Sequence, residues 1–122
     1  MSKKRFEKLQ DGWVRDLNTG LEWGPTSDQT MTHADAIAYC KKQGARLPTR
    51  EELQSILDLK EYDPAVDKKA FPDTKSSWYW TSDICAWNKS YAWCVDFSSG
   101  SVFSNGKDVS TYVRPCRASV VI

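Results

Sequence analysis

The apolar spacing of this 122-residue chain changes period once, near Trp78, and that change restricts the fold more than any other feature of the sequence. Before Trp78, apolar residues recur at helical spacing in two stretches. After it they alternate with polar residues, so each strand has one apolar face. Helices first and hairpin strands afterwards point to an α+β domain.

The helical stretches carry their own start and stop signals. Thr32, with Asp35 three residues on, approximates a capping box, Ala36, Ile37 and Cys40 form the expected buried stripe, and Gly44 ends the helix. The second helix is better marked. Pro48 precedes Thr49 as N-cap, Glu52 closes the box, and Leu53, Ile56 and Leu57 recur on one side. Upstream, Asp11–Val14 and Leu21–Trp23 read as short strands around Asn18-Thr19-Gly20. Lys60–Ser77, with Pro64 and Pro72, reads as a loop.

Beyond Trp78 the alternation assigns faces. In Ala92–Ser98, Trp93, Val95 and Phe97 are expected inward with Trp78 and Trp80, leaving Cys94, Asp96 and Ser98 outward. Ser99-Gly100 is a turn, and Ser101–Ser104 returns with Val102 inward and Ser101 and Phe103 outward. Asn105-Gly106 is a second turn signal, and Tyr112–Arg117 a closing strand. Residues 1–10 read as a solvated tail and 11–122 as one domain, long enough to bury a single core.

Charge and composition narrow the function. Seventeen basic and sixteen acidic residues leave a net charge of +1, and Lys3-Lys4-Arg5 is the single basic cluster, which argues against a nucleic-acid partner. No apolar run reaches membrane-spanning length, and residues 1–13 lack a signal-peptide core, so no membrane insertion and no self-encoded secretion are expected. Four cysteines, at 40, 85, 94 and 116, lack zinc-site spacing; three disulfide pairings and full reduction all stay open.

Residues 84–111 hold four charged side chains in 28 positions, against 27 in the first 83, so this segment is selectively stripped of charge. It keeps six serines and the rings of Trp87, Tyr91, Trp93, Phe97 and Phe103. Rigid amphipathic rings among small hydroxyl groups are what antibody-type contact surfaces use. Trp87, Tyr91 and Phe103 fit the inward set least well and are expected to be exposed anchors.

Catalytic chemistry finds little support. A Ser or Cys nucleophile would depend on His33, the sole histidine, which lies on the first predicted helix. Glu51 and Glu52 are adjacent, so they point apart on a helix, and no phosphate-binding glycine loop occurs. Asp58, Glu61, Asp63 and Asp67 lack the EF-hand pattern and read as a solvated acidic loop. A non-enzymatic protein with no metal and no cofactor is expected.

The stretches DGWVRDLNTGLEWG, ARLPTREELQSILD, AFPDTKSSWYWTSD, AWCVDFSSGSVFSNGK and YVRPCRA resemble, in this order, the Lcl C-terminal domain family, from about Asp11 to Ala118. The ordered set of RLPT before a helix, a Tyr-Trp-[Ser/Thr]-Ser strand and a closing Tyr-Val-Arg is the specific part. That resemblance implies a C-type-lectin-like fold, two helices packed on a mainly antiparallel sheet, with a hairpin-rich C-terminal binding half. The chain departs from the family at Ala45, where tryptophan is common. Relatives that link a helix cysteine to the last strand place the latter where this chain has Pro115, so a Cys40–Cys116 link would be one residue out of register. Trp87-Asn88-Lys89 and the lack of a Glu-Pro-Asn or Gln-Pro-Asp tripeptide speak against calcium-mediated sugar binding.

The last third also resembles the variable proteins of diversity-generating retroelements, which keep an invariant frame around mutable positions. The frame is met by Tyr79-Trp80-Thr81-Ser82, Ala92-Trp93, Val95, Phe97, Gly100, Val102, Gly106-Lys107 and Tyr112–Pro115. The resemblance then makes ligand-binding positions of Ile84, Cys85, Trp87, Asn88, Ser90, Tyr91, Cys94, Asp96, Ser98, Ser99, Ser101, Phe103, Ser104, Asp108, Val109, Ser110 and Thr111. It implies a receptor-binding or display module at a virion or cell surface, its target a cell-surface protein first and a glycan second. The competing expectation is a fixed adhesin for a sulfated or other polysaccharide, which would use Lys89, Lys107 and Arg114 and weaken in salt. An enzyme related to the formylglycine-generating fold would need reactive cysteines.

Overall fold

The structure, a computed structural model, describes residues 4–119, so Lys3 and the last three residues of the expected domain lie outside it. Seven strands and two helices follow in the order β1 (Phe6–Lys8), β2 (Val14–Asp16), β3 (Leu21–Trp23), α1 (His33–Lys42), α2 (Arg50–Gln54), β4 (Trp78–Ile84), β5 (Tyr91–Asp96), β6 (Ser101–Gly106) and β7 (Cys116–Ala118). They form two antiparallel sheets, β1-β2-β3-β7 and β4-β5-β6. The domain is α+β, as expected.

Both helices begin where their caps are written. The Thr32 hydroxyl accepts the Asp35 N–H at 3.4 Å, and Gly44 leaves α1 at φ +67°. At α2 the box closes in both directions: Glu52 N–H to Thr49 Oγ1 at 3.1 Å, and Thr49 N–H to Glu52 Oε1 at 2.8 Å. α1 buries His33, Ala36 and Cys40, whereas Ile37, expected inside, is exposed. Ile37 is one residue past Ala36, 100° further round the helix, and the stripe is too narrow to take both.

The segment expected to be a tail contributes β1. Arg5 donates Nε to Asp16 Oδ1 (3.1 Å), Nη2 to Asp16 Oδ2 (2.9 Å) and Nη2 to the Ser55 carbonyl (2.7 Å), while Phe6 meets Phe71 edge-on at 5.0 Å. A three-residue strand is too short to leave a period, so residues 1–10 read as a tail from sequence.

Two hydrophobic cores lie on opposite faces of β4-β5-β6. One gathers Trp23, Leu53, Ile56, Phe71, Tyr79, Val95 and Phe97; the other gathers Ala36, Cys40, Leu47, Trp80, Ala92, Cys94 and Val113. Adjacent Tyr79 and Trp80 point into different cores because successive strand residues face opposite ways. This corrects the outward placement of Cys94. Alternation alone sets core against solvent, but α1 covers the second face, so both faces are buried. Trp78, expected in the core, is 42% exposed at the sheet end beside Asp96 and Ser101.

The turns differ in small ways. Gly100 sits at φ +92°, a backbone conformation that favours glycine. Asn105 and Gly106 are the last residues of β6, and the turn follows them, with Val109 N–H donating to Gly106 O at 3.0 Å. Of the expected closing strand, Tyr112–Arg117, Cys116 and Arg117 pair with β3 and Tyr112 forms an isolated bridge to Tyr79; Thr111, just before it, bridges Met31. The four cysteines are free and buried, Cys40 in one core and Cys116 in the other, with no Cys40–Cys116 bond.

Candidate functional site

The β4–β5 loop presents the most exposed ring of the variable-type segment. Cys85 N–H donates to Tyr91 O (2.9 Å) and Tyr91 N–H to Asn88 O (3.0 Å), closing the loop tightly. Asn88 Oδ1 accepts the Ser90 N–H (3.1 Å) and the Ser90 hydroxyl (2.6 Å), which fixes the stretch behind Trp87. Cys85 is buried beneath. Trp87, 74% exposed, stands edge-on to Trp93 at 5.7 Å, and the Arg50 guanidinium lies 5.3 Å from the Trp93 ring centre. Arg50 is itself placed by its N–H donating to Asp83 Oδ2 at 2.7 Å.

Tyr91, 41% exposed, lies two residues before Trp93 and shares its face of β5. With Ser90, Gly106, Lys107 and Asp108 it lines a shallow cleft, and exposed Val109 and Ser110 follow directly in the chain. Ile84 is exposed at the end of β4. This end of the sheet is an aromatic and hydroxyl surface with the cations Arg50, Lys89 and Lys107 around it.

The opposite end is different. Asp96 Oδ1 accepts the Ser98 N–H (2.9 Å) and hydroxyl (2.7 Å), so both side chains, half-buried, serve the turn that carries exposed Ser99 and Ser101. Phe103 meets Trp78 edge-on at 5.1 Å and packs against the second core. Register puts Phe103 opposite Cys94, on the face away from Tyr91. The three expected anchors therefore separate: Trp87 and Tyr91 sit at one end, and Phe103 is a half-buried residue of the other face. Ser104, opposite Trp93, is half-buried.

Three of the expected contact positions are corrected outright. Cys85, Cys94 and Thr111 are buried, Cys94 beneath α1 and Thr111 by its pairing with Met31. Ten are exposed and four half-buried; of the frame residues, Tyr79, Trp80, Thr81, Ala92, Val95, Phe97 and Val113–Pro115 are buried, Trp93, Gly100, Val102, Gly106, Lys107 and Tyr112 are half-buried, and Ser82 is exposed.

A model of the Lcl C-terminal domain family matches residues 12–117. The chain belongs to that family. No curated protein matches it. Membership supports a ligand-binding module of adhesin type, and the aromatic end of the sheet is the surface of this Lcl C-terminal domain best suited to that work.

Other features of this Lcl C-terminal domain have structural jobs. Arg114, expected as a free cation, is buried and donates to Gly24 O (2.8 Å), Asp73 Oδ1 (3.0 Å) and Thr74 Oγ1 (2.8 Å). His33 is buried, with Nε2 2.9 Å from the Thr81 carbonyl and its ring edge-on to Trp80. Asp58 accepts the Lys60 N–H, and Asp67 those of Lys69 and Ala70, so the acidic loop caps itself. Among the described residues no three His, Cys, Asp or Glu side chains converge on one point. Two contributions escaped the sequence. Arg50 over Trp93 is a contact between segments far apart in the chain, and exposed Leu59 and Tyr62 lie on a loop tied to the end of β5 by Asp63 N–H donating to Ser98 O. No local pattern announces either.

Proposed function

We propose that this domain is a non-enzymatic receptor-binding or display module, a variable protein of a diversity-generating retroelement, offering residues 84–111 to a protein on a cell surface. It would work at a virion or cell surface, without cofactor. One observation carries the reading: nine of the sixteen frame residues are buried and one is exposed, whereas three of the seventeen positions between them are buried and ten are exposed. Exchange of exposed side chains leaves packing intact, so one scaffold can carry many surfaces. Trp87 and Tyr91 supply rigid contact area; Asn88, Ser90 and Ser110 supply adaptable hydrogen bonds around them.

The cysteines support the absence of an enzyme. Burial pushes the thiols of Cys40, Cys94 and Cys116 up to about 12, far from the thiolate form that redox or nucleophilic chemistry needs. The polysaccharide reading loses Arg114 to the interior and keeps Arg50, Lys89 and Lys107 around the aromatic end. Sequencing the DNA beside the gene tests the proposal. A near-copy of codons 79–117, differing where the copy has adenine and lying beside a reverse transcriptase, is expected. If no such copy exists, diversification is wrong and a fixed-specificity adhesin takes its place.

A further inference from the structure

Sheet edges expose unpaired N–H and C=O groups, and the edges of this molecule are treated unequally. In the four-stranded sheet both edge strands have three residues and carry charge, Glu7 and Lys8 in β1 and Arg117 in β7. The outer edge of β4 is covered: Trp80 N–H donates to Tyr112 O (3.1 Å), Tyr112 N–H to Trp78 O (3.0 Å) and Ser82 N–H to Pro48 O (2.8 Å). β6 is the exception. Its six residues, Ser101 to Gly106, contain no charge and no proline, and it is the last strand of its sheet.

Register decides which groups point outward. Ser90 and Lys107 extend the β5–β6 ladder, and Lys107 N–H donates to Ser90 O at 2.9 Å. Hydrogen-bonded and open pairs alternate in an antiparallel ladder. Asn105, Phe103 and Ser101 therefore bond to β5, while Val102 and Ser104 aim their N–H and C=O away from it. β5 agrees from its other side, where Tyr91 O accepts the Cys85 N–H and Phe97 N–H donates to Ser77 O. Among the described residues, the outward groups of Val102 and Ser104 have no main-chain partner.

We infer that the outer edge of β6 is a docking edge for an extended strand of the target protein, which adds a fourth strand to β4-β5-β6. This rests on the binding-module reading and narrows its partner to polypeptide. Paired N–H and C=O groups that recur every ~7 Å, two residues of strand, match the donors and acceptors of an extended peptide backbone. Main-chain pairing gives affinity whatever the side chains, while Ser101 and Ser104 beside the edge set specificity. A surface with exchangeable side chains needs that division, because every substitution except proline preserves the edge. A second copy is the competing occupant of the same edge, and self-association reads it directly.

The test selects peptides from a displayed library of random linear sequences on the wild-type chain, then compares Ser104→Pro with Ser104→Ala. Proline removes the outward N–H without touching a bond to β5, and alanine changes the side chain alone. Selected peptides are expected to bind Ser104→Pro more than about tenfold more weakly and Ser104→Ala within about threefold. N-methylation of alternate peptide amides leaves the protein untouched and is expected to give the same loss, so a folding defect in the proline variant cannot imitate it. Peptides indifferent to both changes overturn the inference, as does a library that yields none. Self-association in sedimentation that Ser104→Pro abolishes also overturns it, assigning the edge to a second copy. On a panel of cells, staining that needs Trp87 and Tyr91 but survives Ser104→Pro defeats the edge alone. No staining by any variant defeats the binding-module reading beneath it.

Discussion

Trp87 has one aromatic neighbour, Trp93, to hold its ring and keeps 74% of its surface in water, so its apolar face is available to a partner at little cost to the fold. Phe103 has spent its ring on Trp78 and the second core. Replacing Trp87 and Tyr91 together by serine is therefore expected to change stability by less than about 1 kcal/mol and to abolish target binding. Phe103→Ser is expected to cost about 2 kcal/mol or more, because it opens a partly buried site. Urea denaturation of the three chains, beside cell staining, separates the two roles; equal losses of stability would return Trp87 to the core. The exposure of Trp87 was legible because it falls outside the alternating set. That of Phe103 was misjudged, and Cys94 with it, because alternation reports which residues share a face and not what covers that face.

α1 is fastened to the sheet through its first residue. His33 N–H donates to Lys107 O at 3.0 Å, and its ring, between Trp80 and the Thr81 carbonyl, is out of water. Burial holds its pKa below the ordinary value; the Thr81 carbonyl opposes this and the Lys107 charge adds to it. The unfolded chain, with an ordinary histidine, takes up the proton first as pH falls. The His33 contribution is therefore whole above about pH 6.5 and declines below it until the folded-state pKa is passed. Urea midpoints at pH 7 and pH 5 are expected to fall in the wild type and to fall less in His33→Gln. An identical drop in both would show that His33 does not carry the acid sensitivity. At this scale the sequence speaks through neighbours three or four residues apart, which is why Thr49 and Glu52 announce α2. It is silent on β1 and on the β3–β7 pairing, whose partners are set by packing across the whole chain.

The domain holds together because its far segments lock one another, and this sets where change is tolerated. Asp16 is fully buried; desolvation would raise its carboxyl, yet Arg5 and the Asn18 N–H outweigh that and hold it low. Arg5→Ala leaves the carboxylate buried without its cation and is expected to cost about 2 kcal/mol near neutral pH, less than a fully buried pair because Arg5 is partly solvated. Since the folded Asp16 pKa is depressed, the difference from wild type is expected to shrink as pH drops below about 4, which paired denaturation curves at pH 7 and pH 3 would show. Diversification must respect the same locks. A library at Ile84, Trp87, Asn88, Ser90, Tyr91, Ser99, Ser101, Asp108, Val109 and Ser110 changes side chains that face water. Most members are expected to melt cooperatively within about 5 °C of the parent. A library at Cys85, Cys94 and Thr111 places new volume or charge inside closed packing, and most of its members are expected to unfold or lose their cooperative melt. Thermal melts of a few dozen clones from each library decide the matter. If Cys94 accepted large or charged residues as freely as Ser99, the two-core packing beneath the proposed surface would be wrong, and the surface with it.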